Sequence, residues 1–380
     1  MKIVRLADCV TKVASWNPAR AGENEQFSYI DIGAVNQQSK KIDGAGLLRC
    51  VEAPSRARQL VKVDDVLVSS VRPNLNAVAK VLDDSNFATA STGFCVLRAN
   101  KDVIDPNYLF NWVKTDLFIN DMVKKATGAS YPAVSDKIVF NSTIPLPSLA
   151  EQKRIAAILD KAAEIKAKRE QAIAKLDELA QSAFKEVAMG ASGFTKLKDI
   201  AAFESGGTPS KENNDYWGGD IAWISSADIV DDQIVYGRNS ITELGLSSSA
   251  TSLATKGTIL VVTRTGVGKV AIATKDTCYS QDIVSINLKP DYETNFIAAA
   301  IRANKSNFLR QARGATIQGI TKEVLGAALI PNLQIGEQRK FAKLLDAINF
   351  QRVQLIKSIA HFDRLTNSLQ HQAFTTGFAA

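Results

Sequence analysis

The chain has 380 residues with a formal net charge of +7, from 46 Lys and Arg against 39 Asp and Glu, and 46% of it is hydrophobic. That length fits two or three domains with true cores, and the positive balance favours a polyanionic partner such as nucleic acid. No run of 18 apolar residues is present, Met1–Asp8 carries no signal-like stretch, and Cys9, Cys50, Cys95 and Cys278 are scattered, so a membrane span, a secreted disulfide scaffold and a zinc cluster are not expected, and a reducing cytoplasm is.

In chain order, Val61-Lys62-Val63, Asp65 to Val68 and Val78 to Leu82 read as strands, and Tyr108 to Val123 reads as helix from its apolar spacing of three and four. Asp105-Pro106-Asn107-Tyr108 reads as a helix start capped by Asp105. Ile144-Pro145-Leu146-Pro147 forbids helix, and a long amphipathic helix follows from about Ala150 to Met189, stopped by Gly190 and Gly193. Its 4-3 apolar spacing runs Ile155, Leu159, Ala162, Lys166, Arg169, Ile173, Leu176, Ala180, Ala183, Val187, and Ile158, Ile165, Ala172 and Leu179 widen the stripe. Beyond it, Gly257 to Thr263 and Lys269 to Ala273 read as strands, and Phe296 to Phe308 as helix.

The chain then repeats itself. Ile144-Pro145 with Glu151-Gln152 returns as Ile330-Pro331 with Glu337-Gln338, at an offset of 186. Gly128-Ala129-Ser130 returns at the same offset as Gly314-Ala315-Thr316, and Val134-Ser135 as Ile320-Thr321. Upstream the offset drifts: Arg5 to Asp8 matches Lys196 to Asp199, and Asp65 to Arg72 is aligned with Gly257 to Arg264. The second helix repeats the heptad as Phe341, Leu345, Ile348, Arg352, Leu355, Ile359, Phe362, Thr366, Leu369, Ala373. A single amphipathic helix of this length cannot cover its own stripe, so the two are expected to pair antiparallel as a coiled coil. The expected class is mixed α/β with an internal pseudo-two-fold repeat, divided 1–143, 144–190, 191–329 and 330–380.

No catalytic constellation stands out. Gly266-Val267-Gly268-Lys269 lacks the first glycine and the Ser or Thr of a phosphate-binding loop, so it reads as a turn between strands. Pro290-Asp291-Tyr292-Glu293 reads as a loop, and His361 and His371 as helix surface. What remains is recognition chemistry. Arg72, Asn74 and Asn76, then Lys80, follow the first unit's strand; Arg264, Thr265 and Lys269 follow the second's. Arg and Asn can address guanine, adenine or phosphate. Ser91, Thr92, Tyr131 and Gln318 are further polar candidates near the turns, and Lys211, Asn213 and Tyr216 mark a polar aromatic loop peculiar to the second unit, whose rings could line a groove or pack under Trp223.

The run at 145–155, its degenerate second copy, Gly207-Thr208-Pro209-Ser210 with Tyr216 to Ile224, and Ala90 to Phe94 together resemble the DNA-specificity subunit of type I restriction–modification systems. The resemblance spans essentially the whole chain. It implies two target-recognition domains, each reading half of a split, asymmetric DNA sequence, about 10 bp apart if both are read from one face. It also implies two helices that act as a spacer and dock two modification subunits, with restriction subunits as further partners, and no active site or cofactor in this chain itself. Methylation of adenine from S-adenosylmethionine would belong to the modification subunits. The second copy departs from the pattern, with Pro331-Asn332-Leu333 in place of Pro-Leu-Pro, so its helix entry is expected to differ. The alternative is a coiled-coil scaffold that binds proteins and not DNA, separable by salt dependence; a self-contained enzyme has least in its favour.

Overall fold

The computed structural model describes residues 1–22, 25–230, 232–314 and 318–376. The chain divides into two compact units, residues 1–170 with 357–380, and residues 171–356. Each long helix therefore contributes to both.

In the first unit an antiparallel core sheet runs in the order Val10–Thr11, Phe94–Ala99, Val66–Ser69, Val78–Lys80. A second, mixed sheet runs Gly46–Arg49, Gln26–Ile30, Thr89–Ser91, Ala57–Leu60, with Thr89–Ser91 parallel to Gln26–Ile30. Strand Lys2–Arg5 pairs with Thr143–Leu146, and a small hairpin joins Val35–Asn36 to Lys41–Ile42. The central strand is apolar on both faces because both are covered. Val66 and Val68 pack with Tyr108, Leu109 and Trp112 of helix Pro106–Val113, while Leu67 packs with Ala90 and Phe94. Ile155, Leu159 and Phe374 of the long helices close the first of these cores, with the Phe374 ring 5.1 Å from Tyr108 and 5.2 Å from Trp112.

The second unit repeats this topology strand for strand. Its core sheet runs Ala201–Ser205, Ile283–Leu288, Ile259–Val262, Val270–Ile272, and its mixed sheet Asn239–Ile241, Trp217–Ile224, Thr277–Tyr279, Ser252–Ala254. Ile259 and Val261 pack with Phe296, Phe184 and Phe341; Leu260 and Val262 face Ile224 and Tyr279. The apolar stretches expected to be one helix per unit each break into two, Pro106–Val113 with Asp116–Lys125 and Thr294–Ala303 with Lys305–Gln311. Thr115 and Asn304 sit at these breaks, and the Thr115 hydroxyl accepts from Phe118 N.

The repeat register at the central strand differs from the alignment read in the sequence. Ser69 pairs with Phe94 as Val262 pairs with Ile283, so the strand offset is 193 and not 192. Arg72 thus occupies the place of Thr265, and Val71 that of Arg264. Backbone conformation agrees, since Arg72 has φ 50 and Thr265 φ 51. The connection to the next strand is one residue shorter in the second unit, which restores the offset of 192 by Val78 and Val270. A single-residue slip between two Val-rich strands, each followed by an Arg, has no signature in the sequence. Ala315 and Thr316 of the repeated Gly-Ala-Thr motif lie outside the described residues.

The long helices span Leu149–Met189 and Ile335–Thr375, so the offset of the repeat is the same at both ends. The weaker proline pattern of the second copy does not move the helix start; the capping differs instead. Ser148 Oγ accepts from Glu151 N in the first, and Gln334 N donates to Glu337 in the second. Every predicted heptad position is buried or half-buried on both helices, whereas Leu179, expected to widen the stripe, is exposed. In the first unit the helices pair antiparallel through Lys166 and Asp363, 2.8 Å apart, with the Arg169 guanidinium 4.8 Å from the Phe362 ring. In the second unit Arg352 meets Asp177 at 3.1 Å. These are the same pair, exchanged by the repeat. The two basic heptad residues are thus matched across the seam. Among the described residues no helix is long and apolar enough to cross a membrane, and all four cysteines are buried and unpaired.

Candidate nucleic-acid interface

The repeated Glu-Gln proves to be a joint. Gln152 is fully buried: its Oε1 accepts from Asp105 N at 2.8 Å, and its Nε2 donates to Val103 O and Pro147 O. Gln338 does the same with Glu293 N and Leu333 O. Asp105 and Glu293 are the N-caps of the helices beside the core sheet, accepting from Tyr108 N and Phe296 N respectively. Each long helix is therefore locked at its start to the unit it leaves.

Beyond the end of each central strand, the loops the sequence singled out are brought together. In the first unit the turn after Ser69 carries Arg72 and exposed Asn74, and a bridge from Val71 to Ala133 lays it against the 127–133 loop. There the Arg72 guanidinium stacks 4.6 Å from the ring of Tyr131, itself 67% exposed. Stacking orients the guanidinium and leaves its N–H edge free for acceptors. Thr92 joins this edge through the adjacent turn, since Ser70 N and Oγ both donate to Gly93 O, while Ser91 is buried and accepts from Gly93 N. Arg56, whose carbonyl accepts from Thr92 N, belongs to the same edge and carries no sequence signal.

In the second unit Arg264 bridges to Gly319, placing exposed Arg264, Thr265 and Gln318 on one edge. A groove of about 420 Å³ runs beside them, lined by Thr265, Lys269, Lys305, Leu309 and Gln318. Lys305 was invisible in the sequence because it opens a helix far from the loop. The turn equivalent to Thr92 holds Gln281, which accepts from Thr208, and this brings the 206–211 segment and exposed Lys211 alongside. Gly207 admits no side chain there, because a Cβ would stand 2.4 Å from the Ala250 backbone.

Several candidates have intramolecular work. Lys80 Nζ donates to Asn107 and lies 3.8 Å from Asp64, at the far end of its strand from Arg72. Lys269 Nζ donates to Ser226 O and Ile229 O, and Asn213 caps the turn at Asp215. Asn76 Nδ2 donates to Lys114 O. Tyr216 is half-buried, its carbonyl held by Thr242 N, and neighbouring Trp217 packs edge-on against Trp223 at 5.2 Å, the packing alternative for that loop. The 264–268 glycines form a hairpin turn between two antiparallel strands, with Gly266 and Gly268 at positive φ.

Two units of identical topology, each presenting a different polar edge and each locked to a long helix, define a duplicated two-unit protein. The chain belongs to the type I restriction modification DNA specificity domain family, whose model matches residues 56–176 and 191–360. It is 31% identical over 155 residues to the type I restriction enzyme MjaIX specificity subunit of Methanocaldococcus jannaschii, covering 40% of this chain and 36% of that protein. It is 29% identical over 240 residues to the EcoR124I/EcoR124II specificity subunit of Escherichia coli, covering 59% and 55%. The matches thus span about a third to a half of these curated relatives. Among solved structures, a chain from work on complex assembly and conformational transition of the type I R-M system aligns over 99% of this chain and 98% of its own, with TM-score 0.64 and 25% identity. The type I S subunit from M. genitalium shares the fold at TM-score 0.57 and 12% identity, over 98% and 96%.

Proposed function

We propose that this chain is the DNA-reading, non-catalytic subunit of a type I restriction–modification complex. Residues 1–143 and 191–329 serve as target-recognition domains, and 144–190 and 330–380 as the helical spacer. Each domain reads one half of a bipartite, asymmetric target through its polar edge: Arg72, Asn74, Thr92 and Tyr131 in the first, and Lys211, Arg264, Thr265 and Gln318 in the second. The observation that carries this reading is the pairing of a repeated fold with edges that do not repeat. Where Arg72 stacks on Tyr131, the second unit has Thr265 beside a groove. One frame holding two unlike edges suits two unlike half-sites.

The spacer helices dock two modification subunits, and restriction subunits join that assembly. Exposed apolar side chains on the helices support a docking role, among them Phe350 at 62% and Leu179 at 50%. A scaffold without DNA affinity fits less well with a solvent-facing arginine just beyond the central strand of each unit. The test is co-expression with the modification subunit of the same system, followed by sequencing of methylated adenines. A split target is expected, and Arg72→Ala with Tyr131→Ala should relax one half and leave the other intact. Methylation without a split sequence, or relaxation of both halves together, overturns the reading.

A further inference from the structure

In the second unit, the hairpin Ile229–Val230/Gln233–Ile234 packs beside strand Val270–Ile272 and is tied to helix Thr294–Ala303 by an ion pair. The Asp232 carboxylate lies 3.0 Å from the Arg302 guanidinium, which also donates to Val270 O at 3.1 Å. Both positions have counterparts in the first unit. Asp232 immediately precedes the hairpin's second strand with φ 62; so does Lys40, with φ 57. Arg302 follows its helix N-cap Glu293 by nine residues, and Lys114 follows Asp105 by nine. Where the second unit sets an acid against a base, the first unit thus has a lysine at each of the two positions.

Asn76 lies between the two positions, holding the Lys40 ammonium on one side and the Lys114 backbone on the other. Lys40 Nζ donates to Asn76 O at 2.6 Å, and Asn76 Nδ2 donates to Lys114 O at 3.3 Å. The Lys114 ammonium lies 4.4 Å from the Phe110 ring centroid. Burial lowers Lys114 to about 8, with Lys40 and Lys80 acting in the same direction and Asp160 opposing. Burial also lowers Lys40. Lys80 is already held by Asn107 and Asp64. Among the described residues neither Lys40 nor Lys114 has a carboxylate at ion-pair distance. Desolvated like charges are unfavourable unless a counter-charge joins them.

We propose that Lys40 and Lys114 form a binding site for a phosphate-class oxyanion, which stands where the Asp232 carboxylate stands in the second unit. Two sources share that chemistry, a backbone phosphate of bound DNA and free inorganic phosphate. Asn76 closes the turn that carries Arg72, so the site adjoins the candidate reading edge. Only the first source rests on the function proposed above.

The decisive variant is Lys40→Asp, which rebuilds the second unit's pair at a positive φ that Asp tolerates better than Lys. Lys41→Asp, exposed and adjacent, carries the same charge change. Thermal unfolding of the full chain is followed in 10 mM inorganic phosphate against sodium chloride of equal ionic strength. The unsubstituted chain and Lys41→Asp should gain about 2–4 °C from phosphate. Lys40→Asp should start higher and gain nothing, and Lys114→Met should also lose the gain. An equal gain in Lys40→Asp, or none in the unsubstituted chain, overturns the site. A second arm measures the salt dependence of DNA binding. A slope reduced by about one phosphate in Lys40→Asp assigns the anion to the DNA backbone. An unchanged slope with the thermal response present assigns it to free phosphate. If no variant binds DNA, the functional reading falls while the phosphate arm still decides the site.

Discussion

Gln152 makes three hydrogen bonds from a fully buried position, and its partners come from the helix cap, the loop before it and the proline segment. Removing it leaves one N–H and two carbonyls unsatisfied in a buried place. Gln152→Ala is therefore expected to destabilise its unit by about 2–4 kcal/mol, whereas Glu151→Ala at the exposed neighbouring pair should stay within about 0.5 kcal/mol. Urea unfolding of both variants checks this; equal effects would mean the joint is not where the energy lies. The glutamine was legible as a repeated letter. Its partners Asp105 and Val103 were not, because only the fold brings that distant stretch of chain beside it. Lys114 carries a pH prediction. Its folded pKa of about 8 lies below the usual 10.5, so below pH 8 both states are protonated and the full penalty applies. Between about 8 and 10.5 the folded state releases its proton first, so stability should rise across that window. Tyr108 and Cys95, both raised by burial, act in the opposite sense, so the readout is the difference between the unsubstituted chain and Lys114→Met in phosphate-free buffer. Parallel pH curves would contradict the assignment.

At the scale of elements, the long helices were legible because a 4-3 apolar spacing is a local property, written in one stretch of chain. Their pairing direction followed from the repeat, and the ion pairs identify the partners. The two seam pairs differ in surroundings: Lys166 and Asp363 are 39% and 41% exposed, whereas Arg352 is 14% exposed beside Asp177 at 48%. Solvent screening weakens the first, so a double-mutant cycle should give a coupling of about 0.5 kcal/mol or less for Lys166–Asp363 and a larger one for Arg352–Asp177. Single Arg352→Ala should cost more than Lys166→Ala, partly through its buried stem. The loops were less legible. Arg72 and Arg264 looked equivalent because each ends a Val-rich run, yet hydrogen-bond register sets the equivalence and makes Thr265 the counterpart. The groove beside Thr265 needs Lys305 from a helix much further along the chain, which no local pattern announces.

At the scale of the whole molecule, the duplication is the main fact, and it was legible because one constant offset relates matched joints and matched helix ends alike. What the repeat does not carry over is as informative, since edge residues are free to differ where frame residues are not. If the helices are the spacer, their length should be encoded independently of the edges. Inserting one heptad into each long helix keeps the apolar stripe in phase and lengthens each by about 10 Å, at about 1.5 Å per residue. That corresponds to about 3 bp at about 3.4 Å each. Sequencing of methylated adenines should then show an unspecified spacer longer by about 3 bp between two unchanged half-sites. Inserting the heptad into one helix only shifts one strand of the seam past the other, so Lys166 and Arg352 cannot both keep their acids, and lowered stability with weakened methylation is expected. An unchanged spacer in the double insertion would show that something other than these helices sets the distance.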